Sequence, residues 1–457
     1  MNIIVIITDS MRADYVGYLG GKAKTPAIDK FAEEGTVFEL AYSESLPTLP
    51  TRTTWWTGKT NFPFRGWQQF DHWDYLLAEI LYSRGYTSAL ISDTYHMHKP
   101  IYNCGRGFDT VVWVRGQEYD PWIVDSEVKV DISQYYRLRG DESDKIWKPH
   151  AQQYMRNISV RKTEEDYSIS RVIKEAMHWL EHITQKQKDN LFLWVDCFDP
   201  HEPWDPPEPF WSMYDPDYKG LHMIDPIPGP VKGYMTEEEL NRTKALYAGE
   251  VSFVDKWVGI FLDYVRKLGL FENSLIMHTS DHGEPFGEHG IVRKAMPWNY
   301  TELVHIPWVI FHPKIGKGKR INSIVQTTDL MPTILHALGI PLTLELPFLA
   351  PAKTGTFPQD LVMGKKQVSM DGQSLLPLMK GDVERVRDFA LIGHAFQSWT
   401  IRNKEWSYHL YIDGSKSPEL YNIKQDWWEQ KNIIEKNRSI ADEMELTMRR
   451  AIDSLKK

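Results

Sequence analysis

Residues 48–59 read Thr48-Leu49-Pro50-Thr51-Arg52-Thr53-Thr54-Trp55-Trp56-Thr57-Gly58-Lys59. They follow an apolar segment, residues 37–42, that is typical of a β-strand. A hydroxyl residue between a strand and a helix lies at a helix N-terminus, where backbone N–H groups and the helix dipole favour an anion. Arg52 lies one turn further along, where its guanidinium can bind a tetrahedral anion. The stretch predicts either a nucleophile, Thr48, in an anion pocket or an ordinary helix cap at Thr48.

Two further strand ends carry side chains suited to a metal ion. Residues 3–7 form a β-branched run typical of a buried parallel strand, and Asp9 follows it. Residues 274–279 form another strand, which is followed by Asp281 and His282 among glycines. Because open parallel sheets place their ligands at the carboxyl ends of strands, we expect these three side chains to converge on one divalent metal. The alternatives are a helix cap for Asp9 and a solvated charged loop for the other pair.

Several basic side chains in predicted loops are candidates for contacting an anionic substrate. They follow three different strands and are His96, His98, His201, His289 and Lys294. A histidine in a loop after a strand can hold or protonate an anion. The first three could equally be loop histidines bonded to a neighbouring backbone or carboxylate group, and both interpretations stay open.

Composition excludes some classes of function. The chain has 457 residues and a net charge of −9, and the absence of a basic surplus argues against nucleic acid as the partner. Its apolar runs are too short for a signal peptide or a membrane span, which predicts a cytoplasmic protein without a membrane partner. Cys104 and Cys197 are expected to be free and buried, as in a reducing compartment.

The order of predicted elements indicates an α/β fold, a mostly parallel sheet with helices on both faces. Long amphipathic helices are predicted at residues 74–84, 164–186 and 236–268. Residues 111–162 lack a clear periodicity, and we interpret them as an insertion beside the mouth of the site.

The last quarter of the chain has a different pattern. A proline-rich segment, residues 341–365, leads into short strands and a final helix. The strands are predicted near residues 388–394, 397–402 and 406–411, and the helix near 436–456. We therefore predict two domains, a catalytic domain of residues 1–365 and a small C-terminal α+β subdomain of residues 366–457 with an antiparallel sheet.

The motifs together resemble those of the sulfatase family of the alkaline phosphatase superfamily. They occur in the family's order along nearly the whole chain: Asp9 with Arg12-Ala13-Asp14, Thr25-Pro26 with Ile28-Asp29, Thr48 to Gly58, Asp199-Pro200-His201, Asp281-His282-Gly283-Glu284, Asp329-Leu330-Met331-Pro332-Thr333, Asp371-Gly372-Gln373-Ser374-Leu375 and Glu419-Leu420-Tyr421-Asn422. Any single motif could occur by chance, but the ordered set is specific. The resemblance implies an alkaline-phosphatase-like fold and an ester hydrolase that uses a divalent metal.

Three positions depart from the family's pattern. Thr48 stands where the family has a Cys or Ser that is converted to formylglycine, so formylglycine is not expected. Threonine is, however, the nucleophile of related phosphodiesterases and phosphoethanolamine transferases. Ser10 replaces the second of two adjacent acids, and phosphonate monoester hydrolases of the family also keep only one. His96 replaces the lysine of a Lys-x-His motif, which leaves the sulfate-side lysine unassigned.

The resemblance implies the following assignments for the hydrolase. Mn²⁺, Ca²⁺ or Zn²⁺ is held by Asp9, Thr48, Asp281 and His282. The catalytic residues are Thr48, Arg52, His201 and Lys294, and the substrate-binding residues are His96, His98 and His289. Arg52 orients the nucleophile loop or a non-bridging oxygen, His201 and Lys294 stabilise the leaving oxygen, and His289 or His201 activates the water that cleaves a phospho-threonine intermediate.

The substrate class stays open among three hypotheses. The first is a phosphodiester or phosphonate monoester hydrolase acting through Thr48. The second is a sulfuric ester hydrolase that resembles the arylsulfatases. The third is a sulfatase-like binding protein without activity, against which the intact set of metal ligands argues. The predicted partner is a small anionic ester, and formation of a homo-oligomer is left open.

Overall fold

The computed structural model describes residues 1–125, 127–351 and 361–455. The strands are β1 (Asn2–Thr8), β2 (Thr36–Tyr42), β3 (Ser45–Leu46), β4 (Thr87–Ser92), β5 (Thr110–Trp113), β6 (Leu191–Cys197), β7 (Gly229–Pro230), β8 (Ser274–Thr279), β9 (Ile291–Val292), β10 (Trp308–Phe311), β11 (Lys319–Gln326), β12 (Leu344–Pro351), β13 (Leu361–Val368), β14 (Ala390–His394), β15 (Ser398–Arg402), β16 (Trp406–Tyr411) and β17 (Glu419–Asn422). The α-helices are α1 (Pro26–Glu34), α2 (Thr48–Thr57), α3 (Leu77–Ser83), α4 (Asp144–Ile158), α5 (Ser168–Thr184), α6 (Glu237–Lys267), α7 (Thr301–Val304), α8 (Leu330–Ala337), α9 (Leu376–Lys380) and α10 (Arg438–Leu455).

The main sheet has eight strands in the order β11-β2-β10-β8-β1-β6-β4-β5. All neighbours are parallel except β10, which runs antiparallel to both β2 and β8. In the centre, Ile7 of β1 pairs with Asp196 of β6 on one side and with Thr279 of β8 on the other. The carboxyl ends of these three strands therefore meet at one edge, and the predicted α/β class is confirmed.

Both faces of this sheet are covered by helices. Alternate side chains of a strand point to opposite faces, so Ile4 and Ile6 of β1 pack in one core, which includes residues of α1, α5 and α6. Ile3, Val5 and Ile7 pack in the other core, with residues of α2, α3, α8 and α9. Burial on both faces explains why β1 is a continuous apolar run rather than an alternating one.

A second sheet of five strands has the order β17-β16-β15-β14-β3. Its four C-terminal strands are antiparallel, and α10 packs on them through Met444 and Met448. The fifth strand, β3, comes from the N-terminal part of the chain and pairs parallel to β14. The predicted boundary between residues 365 and 366 falls inside β13, which pairs with β12, and it stays a prediction.

Some elements differ from the predictions. The region 111–162 was expected to be irregular, yet it contains the end of β5 and the 15-residue helix α4. Strand β11 was not predicted. Because β5 and β11 are the two outermost strands of the main sheet, each is partly exposed and lacks the apolar run of a central strand. Residues 352–360 of the proline-rich segment lie outside the described residues.

The structure also bears on the predictions about the cysteines and about membrane-spanning segments. Cys104 and Cys197 are both free and buried, as predicted. Within the described ranges, no helix combines the length and apolar character needed to cross a bilayer.

Candidate functional site

Asp9, Asp281 and His282 lie together at the carboxyl edge of the main sheet. They are fully buried, and each offers a ligand atom within 4.8 Å of the others. Nδ1 of His282 donates a hydrogen bond to the carbonyl of Gly283 at 2.8 Å. Since a carbonyl can only accept, Nε2 carries the lone pair, and it lies 3.6 Å from Oδ2 of Asp281. The three side chains thus present two carboxylates and one imidazole nitrogen to a shared position.

Thr48 completes this cluster from the start of α2. Its Oγ1 lies 3.4 Å from Nε2 of His282. The N-cap residue of α2 is Pro47 and Thr48 is the first helical residue, so Thr48 is not the helix cap. Thr48 also has a φ of 28°, which is a strained conformation for a β-branched residue. Strain of this kind costs about 1–3 kcal/mol and clusters at functional sites.

Arg52 is fully buried and binds three carboxylates. Nη1 lies 2.8 Å from Oδ2 of Asp281, and Nη2 lies 3.1 Å from Oδ2 of Asp9. A two-pronged contact to Asp196 has distances of 2.5 and 3.1 Å, and Nη1 also donates to the carbonyl of Thr48 at 3.1 Å. The geometry therefore makes Arg52 an organiser of the carboxylates and of the Thr48 turn. Its other predicted role, orienting a non-bridging oxygen of the substrate, stays a prediction.

Asp196 was not among the predicted site residues. It lies in β6, one residue from the end of that strand, and Thr94 donates to its Oδ1 at 2.9 Å. The signal was present in the sequence, because a carboxylate at the end of a buried apolar strand is the pattern that identified Asp9. Its partner in an ion pair, Arg52, could not be read from that pattern.

The charges in this cluster fit a divalent cation. Asp9, Asp196 and Asp281 are fully buried and share one guanidinium, that of Arg52. Burial, and then the neighbouring Asp281 carboxylate, raise the pKa of Asp9 well above its ordinary value. Two carboxylates, an imidazole lone pair and a hydroxyl are ligands for a divalent metal ion. The predicted metal set is therefore brought together, and its donors fit the ion.

Lys294 lies beside the cluster and is held by two glutamates. Its Nζ is 3.2 Å from Oε2 of Glu202, contacts the Glu284 carboxylate and lies 3.4 Å from Oγ of Ser10. Ser10 in turn donates to Oδ1 of Asp9 at 3.1 Å. Burial opposes the charge of Lys294, but Glu202 and Glu284 outweigh it and raise the pKa of Lys294. Lys294 is thus a fixed positive charge at the site. Sequence reasoning had assigned no role to Glu284 and had considered Glu202 only as a neighbour that His201 could bond.

His201 is connected to Lys294 through Glu202. Its Nδ1 donates to the carbonyl of Glu202 at 2.8 Å and lies 3.3 Å from the Glu202 carboxylate, which matches the alternative interpretation as a loop histidine. Its catalytic role stays a prediction. Burial is the main cause that lowers the pKa of His201 well below its ordinary value. The ring is therefore neutral at pH 7, with Nε2 as a hydrogen-bond acceptor. This state suits a base rather than a proton donor.

Two of the predicted substrate-binding histidines, His98 and His289, form hydrogen bonds with groups other than the metal-ligand candidates. Nε2 of His98 donates to the carbonyl of Ser92 at 3.1 Å, which matches the alternative interpretation as a loop histidine. Nδ1 of His289 lies 2.6 Å from Oε1 of Glu302, and its Nε2 lies 3.1 Å from the carbonyl of Glu429. Both ring nitrogens of His289 are thus engaged away from the metal ligands, so the structure does not support it as the base. Their roles in binding stay predictions.

His96 belongs to a line of side chains in contact that we name the aromatic wall: Trp67, His96, Tyr119, His150, Trp147 and Arg293. Tyr119 and His150 are stacked, and the other ring pairs meet edge to face. Successive members are separated by 5.1, 5.9, 3.9, 5.4 and 4.8 Å between ring centroids or from guanidinium to ring. Arg293 adjoins Lys294 in sequence and donates to Glu202 at 2.6 Å. The wall therefore runs from beside the Lys294 charge to the exposed ring of Trp67. Three of its members, Tyr119, Trp147 and His150, lie in the region that was interpreted as an insertion near the site.

His394 reaches the site from the C-terminal sheet and was not predicted. It ends β14 and pairs with Leu46, two residues before Thr48. Asn299 donates its amide to Thr400 at 3.1 Å, so its Oδ1 accepts from Nδ1 of His394 at 2.9 Å. Nε2 of His394 is left as an acceptor, and burial, aided by nearby His282, lowers the pKa of His394 to about 3. No local signal marks this residue, because its position depends on the pairing of β14 with β3.

Comparisons with known proteins agree with this architecture. An arylsulfatase of Clostridium perfringens is 25% identical over 386 residues, covering 75% of this chain and 76% of the relative. Arylsulfatase K of Bos taurus is 23% identical over 497 residues, covering 99% of this chain and 82% of the relative. The phosphonate monoester hydrolase of Agrobacterium radiobacter shares the fold, with a TM-score of 0.74 at 20% identity, over 100% of this chain and 95% of that structure.

The model of the Sulfatase family matches residues 1–340, a segment that contains every predicted metal ligand and catalytic residue. The predicted resemblance and enzyme class are therefore confirmed. The chain belongs to the Sulfatase family, a family of ester hydrolases with the fold of the alkaline phosphatase superfamily.

Proposed function

We propose that this protein is a metal-dependent hydrolase that cleaves a phosphodiester or phosphonate monoester through Thr48. The observation that carries the proposal is the strained Thr48, whose hydroxyl faces Nε2 of His282 among the metal-ligand candidates. Its proposed partner is a small anionic ester, and a cytoplasmic location stays a prediction. The imidazole among the donors favours Mn²⁺ or Zn²⁺ over Ca²⁺, which prefers oxygen ligands.

The metal would be held by Asp9, Asp281, His282 and Thr48. A metal ion bound there would lower the pKa of the Thr48 hydroxyl and screen the negative charge of the ester. Arg52 keeps the carboxylates and the Thr48 turn in place, because it binds Asp9, Asp281 and the carbonyl of Thr48.

In the first step, Thr48 loses its proton to solvent, and Oγ1 forms a bond to phosphorus. The bond from phosphorus to the leaving oxygen breaks at the same time, and the charge on that oxygen develops near the ammonium of Lys294. The aromatic wall begins next to Lys294, so we assign it to the leaving group. Aromatic side chains pack against an aryl group or the apolar face of a sugar.

In the second step, water must cleave the phospho-threonine. A threonine ester cannot eliminate its phosphate as an aldehyde hydrate can, so the water needs a base. His201 is neutral and presents Nε2 as an acceptor, which makes it the better candidate than His289, whose nitrogens are both engaged. The water gives its proton to His201 and its oxygen to phosphorus, and the released Thr48 oxygen takes a proton back.

The experiment is a substrate panel with purified protein loaded with Mn²⁺ or Zn²⁺. It compares an aryl phosphodiester, an aryl phosphonate monoester, a phosphate monoester and an aryl sulfate that share one leaving group. We expect the phosphodiester or the phosphonate to have the highest kcat/KM, and Thr48→Ala to abolish that activity. Turnover of the sulfate alone would overturn the proposal.

A sulfuric ester is the second candidate function. It is supported by the match to the Sulfatase family and by the relatives named arylsulfatases. Against it stands Thr48, since an alcohol nucleophile leaves a stable sulfate ester on the enzyme. A burst of one product per chain with the aryl sulfate, followed by no turnover, would identify this dead-end state. A binding protein without activity would bind the metal but form no product from any of the four substrates.

A further inference from the structure

A second group of metal-ligating side chains lies on the surface of α5. His178, Glu181 and His182 are exposed, and each offers a ligand atom within 4.8 Å of the others. Among the described residues, this is the one group of this kind besides the buried cluster of Asp9, Asp281 and His282. Nothing in the proposed reaction uses these three residues.

The helix fixes the spacing of these side chains. Residues three and four apart lie on the same face of a helix, and the rings of His178 and His182 are 4.2 Å apart between centroids. The opposite face of α5 is anchored in the core by Ile173, Ala176 and Leu180. The backbone that carries the three ligands is therefore rigid before any ion binds, while the exposed side chains are free to adjust.

One histidine is already in the state that binds a metal. Nδ1 of His182 donates to the carbonyl of His178 at 2.8 Å, which leaves the lone pair on Nε2. A backbone carbonyl in this place is the kind of partner that orients metal-binding histidines in proteins. Donor atoms of a tetrahedral zinc site are roughly 3.3 Å apart, given metal–nitrogen bonds of about 2.0–2.1 Å. Small rotations of the exposed side chains can bring the present separations to that value.

Among residues 1–125, 127–351 and 361–455, no lysine or arginine pairs with the Glu181 carboxylate. In the part of the chain that the structure describes, Glu181 forms neither an ion pair nor a hydrogen bond through its carboxylate. Lys174, which lies two turns earlier on α5, pairs with Glu165 at 2.5 Å instead. Glu181 can therefore contribute its charge to an ion held by the two histidines.

We propose that His178, Glu181 and His182 form a surface site for a borderline divalent transition metal, of which Zn²⁺ is the probe. Two imidazoles and one carboxylate are the ligands that such ions prefer, whereas Ca²⁺ and Mg²⁺ prefer oxygen. Helix α5 precedes β6, so the site lies near the amino edge of the main sheet, opposite the catalytic edge. An ion there takes no part in hydrolysis, and its remaining coordination positions stay open to water.

The test measures zinc binding to the full-length, untagged protein after removal of metals with a chelator. Titration calorimetry with ZnCl₂ compares the wild type, the double variant His178→Ala/His182→Ala, the variant Asp281→Asn and a control, His72→Ala. The control removes an exposed histidine that meets the ring of Trp73 edge to face and does not belong to α5. Circular dichroism checks each fold, and electron paramagnetic resonance with Cu²⁺ detects nitrogen ligands at the surface site in Asp281→Asn.

We expect Asp281→Asn to retain zinc binding with a nitrogen signal from Cu²⁺, and the double histidine variant to lose one equivalent of Zn²⁺. Hydrolysis by the double variant should match that of the wild type, and His72→Ala should bind zinc as the wild type does. If the double variant binds as much Zn²⁺ with the same affinity as the wild type, the surface site does not exist. If the buried cluster binds no zinc, the titrations of the wild type and of Asp281→Asn should still both show one zinc-binding site that the double histidine variant lacks.

Discussion

The hydroxyl oxygen of Thr48 lies 3.4 Å from Nε2 of His282, the nitrogen that carries the lone pair. These residues come from the start of α2 and from the loop after β8. Their contact joins the strained turn to the metal-ligand candidates, so a nucleophile and the ion that activates it would share one position. Five predictions follow from this arrangement and its surroundings.

Thr48→Ala should reduce turnover of the best substrate in the panel by several orders of magnitude, because it removes the attacking oxygen. Thr48→Ser should keep part of the activity, since the hydroxyl remains. Metal content and unfolding midpoint serve as controls and should change little. Thr48→Cys, expressed with a formylglycine-generating enzyme, tests whether the same pocket gains sulfatase activity. Undiminished turnover by Thr48→Ala would show that the nucleophile is water.

Arg52→Ala should lower the free energy of unfolding of the metal-free protein by about 3–5 kcal/mol. The change leaves the buried carboxylates of Asp9, Asp196 and Asp281 without their shared cation. The free energy of unfolding is measured by denaturation in urea. The matched control is Arg320→Ala, which removes an ion pair to Glu39 with a half-exposed arginine and should cost less than about 1 kcal/mol. Equal losses in the two variants would contradict the proposed role of Arg52.

Saturating Mn²⁺ or Zn²⁺ should raise the midpoint of thermal unfolding, and a chelator should reverse the effect. A ligand at 100 times its Kd that binds only the native state adds about 2.7 kcal/mol. Asp281→Asn removes a carboxylate that faces His282 at 3.6 Å and should lose most of this increase in the buried site. The double variant His178→Ala/His182→Ala lacks the proposed surface site, so its increase in the unfolding midpoint comes from the buried site alone. An identical increase in Asp281→Asn and the wild type would contradict the assigned ligands.

His278 should make stability depend on pH in the acid range. Burial lowers the pKa of His278 to about 4, while an unfolded histidine titrates near 6.5. Between these values the unfolded chain binds a proton that the native protein does not, so stability rises with pH from about 4 to 6.5. The slope from one such group is at most about 1.4 kcal/mol per pH unit. His278→Gln should remove this contribution to the slope when the free energy of unfolding in urea is plotted against pH. If the plots for the variant and the wild type are parallel, His278 is not the group responsible.

Tyr119→Ala should raise KM for substrates with an aryl or sugar leaving group, because it interrupts the aromatic wall between His96 and His150. Substrates with a methyl leaving group should be affected far less, since they do not reach the wall. Aromatic contacts of about 0.5–1.5 kcal/mol correspond to a change of roughly two- to thirteenfold. Steady-state kinetics on the paired substrates measure the effect. An equal change for both leaving groups would place Tyr119 outside the binding surface.

Much of the fold was predictable because the central strands carry strong local signals. β1, β6 and β8 are buried on both faces, so their sequences are continuous apolar runs that end in polar residues. The edge strands β5 and β11 were missed or read as irregular, since exposure dilutes that pattern. The addition of β3 to the C-terminal sheet was also not predictable, because two residues carry no periodicity.

The sequence by itself determined the metal-ligand candidates and the position of Thr48. Asp9, Asp281 and His282 follow strand ends that a parallel sheet must place at one edge, so local pattern and topology were sufficient. Only the tertiary structure decided which other groups join them. The pairing of Arg52 with Asp196, the bond from His394 to Asn299 and the bond between His289 and Glu302 depend on the tertiary structure. Those bonds join residues far apart in sequence, and packing selects them only after the chain has folded.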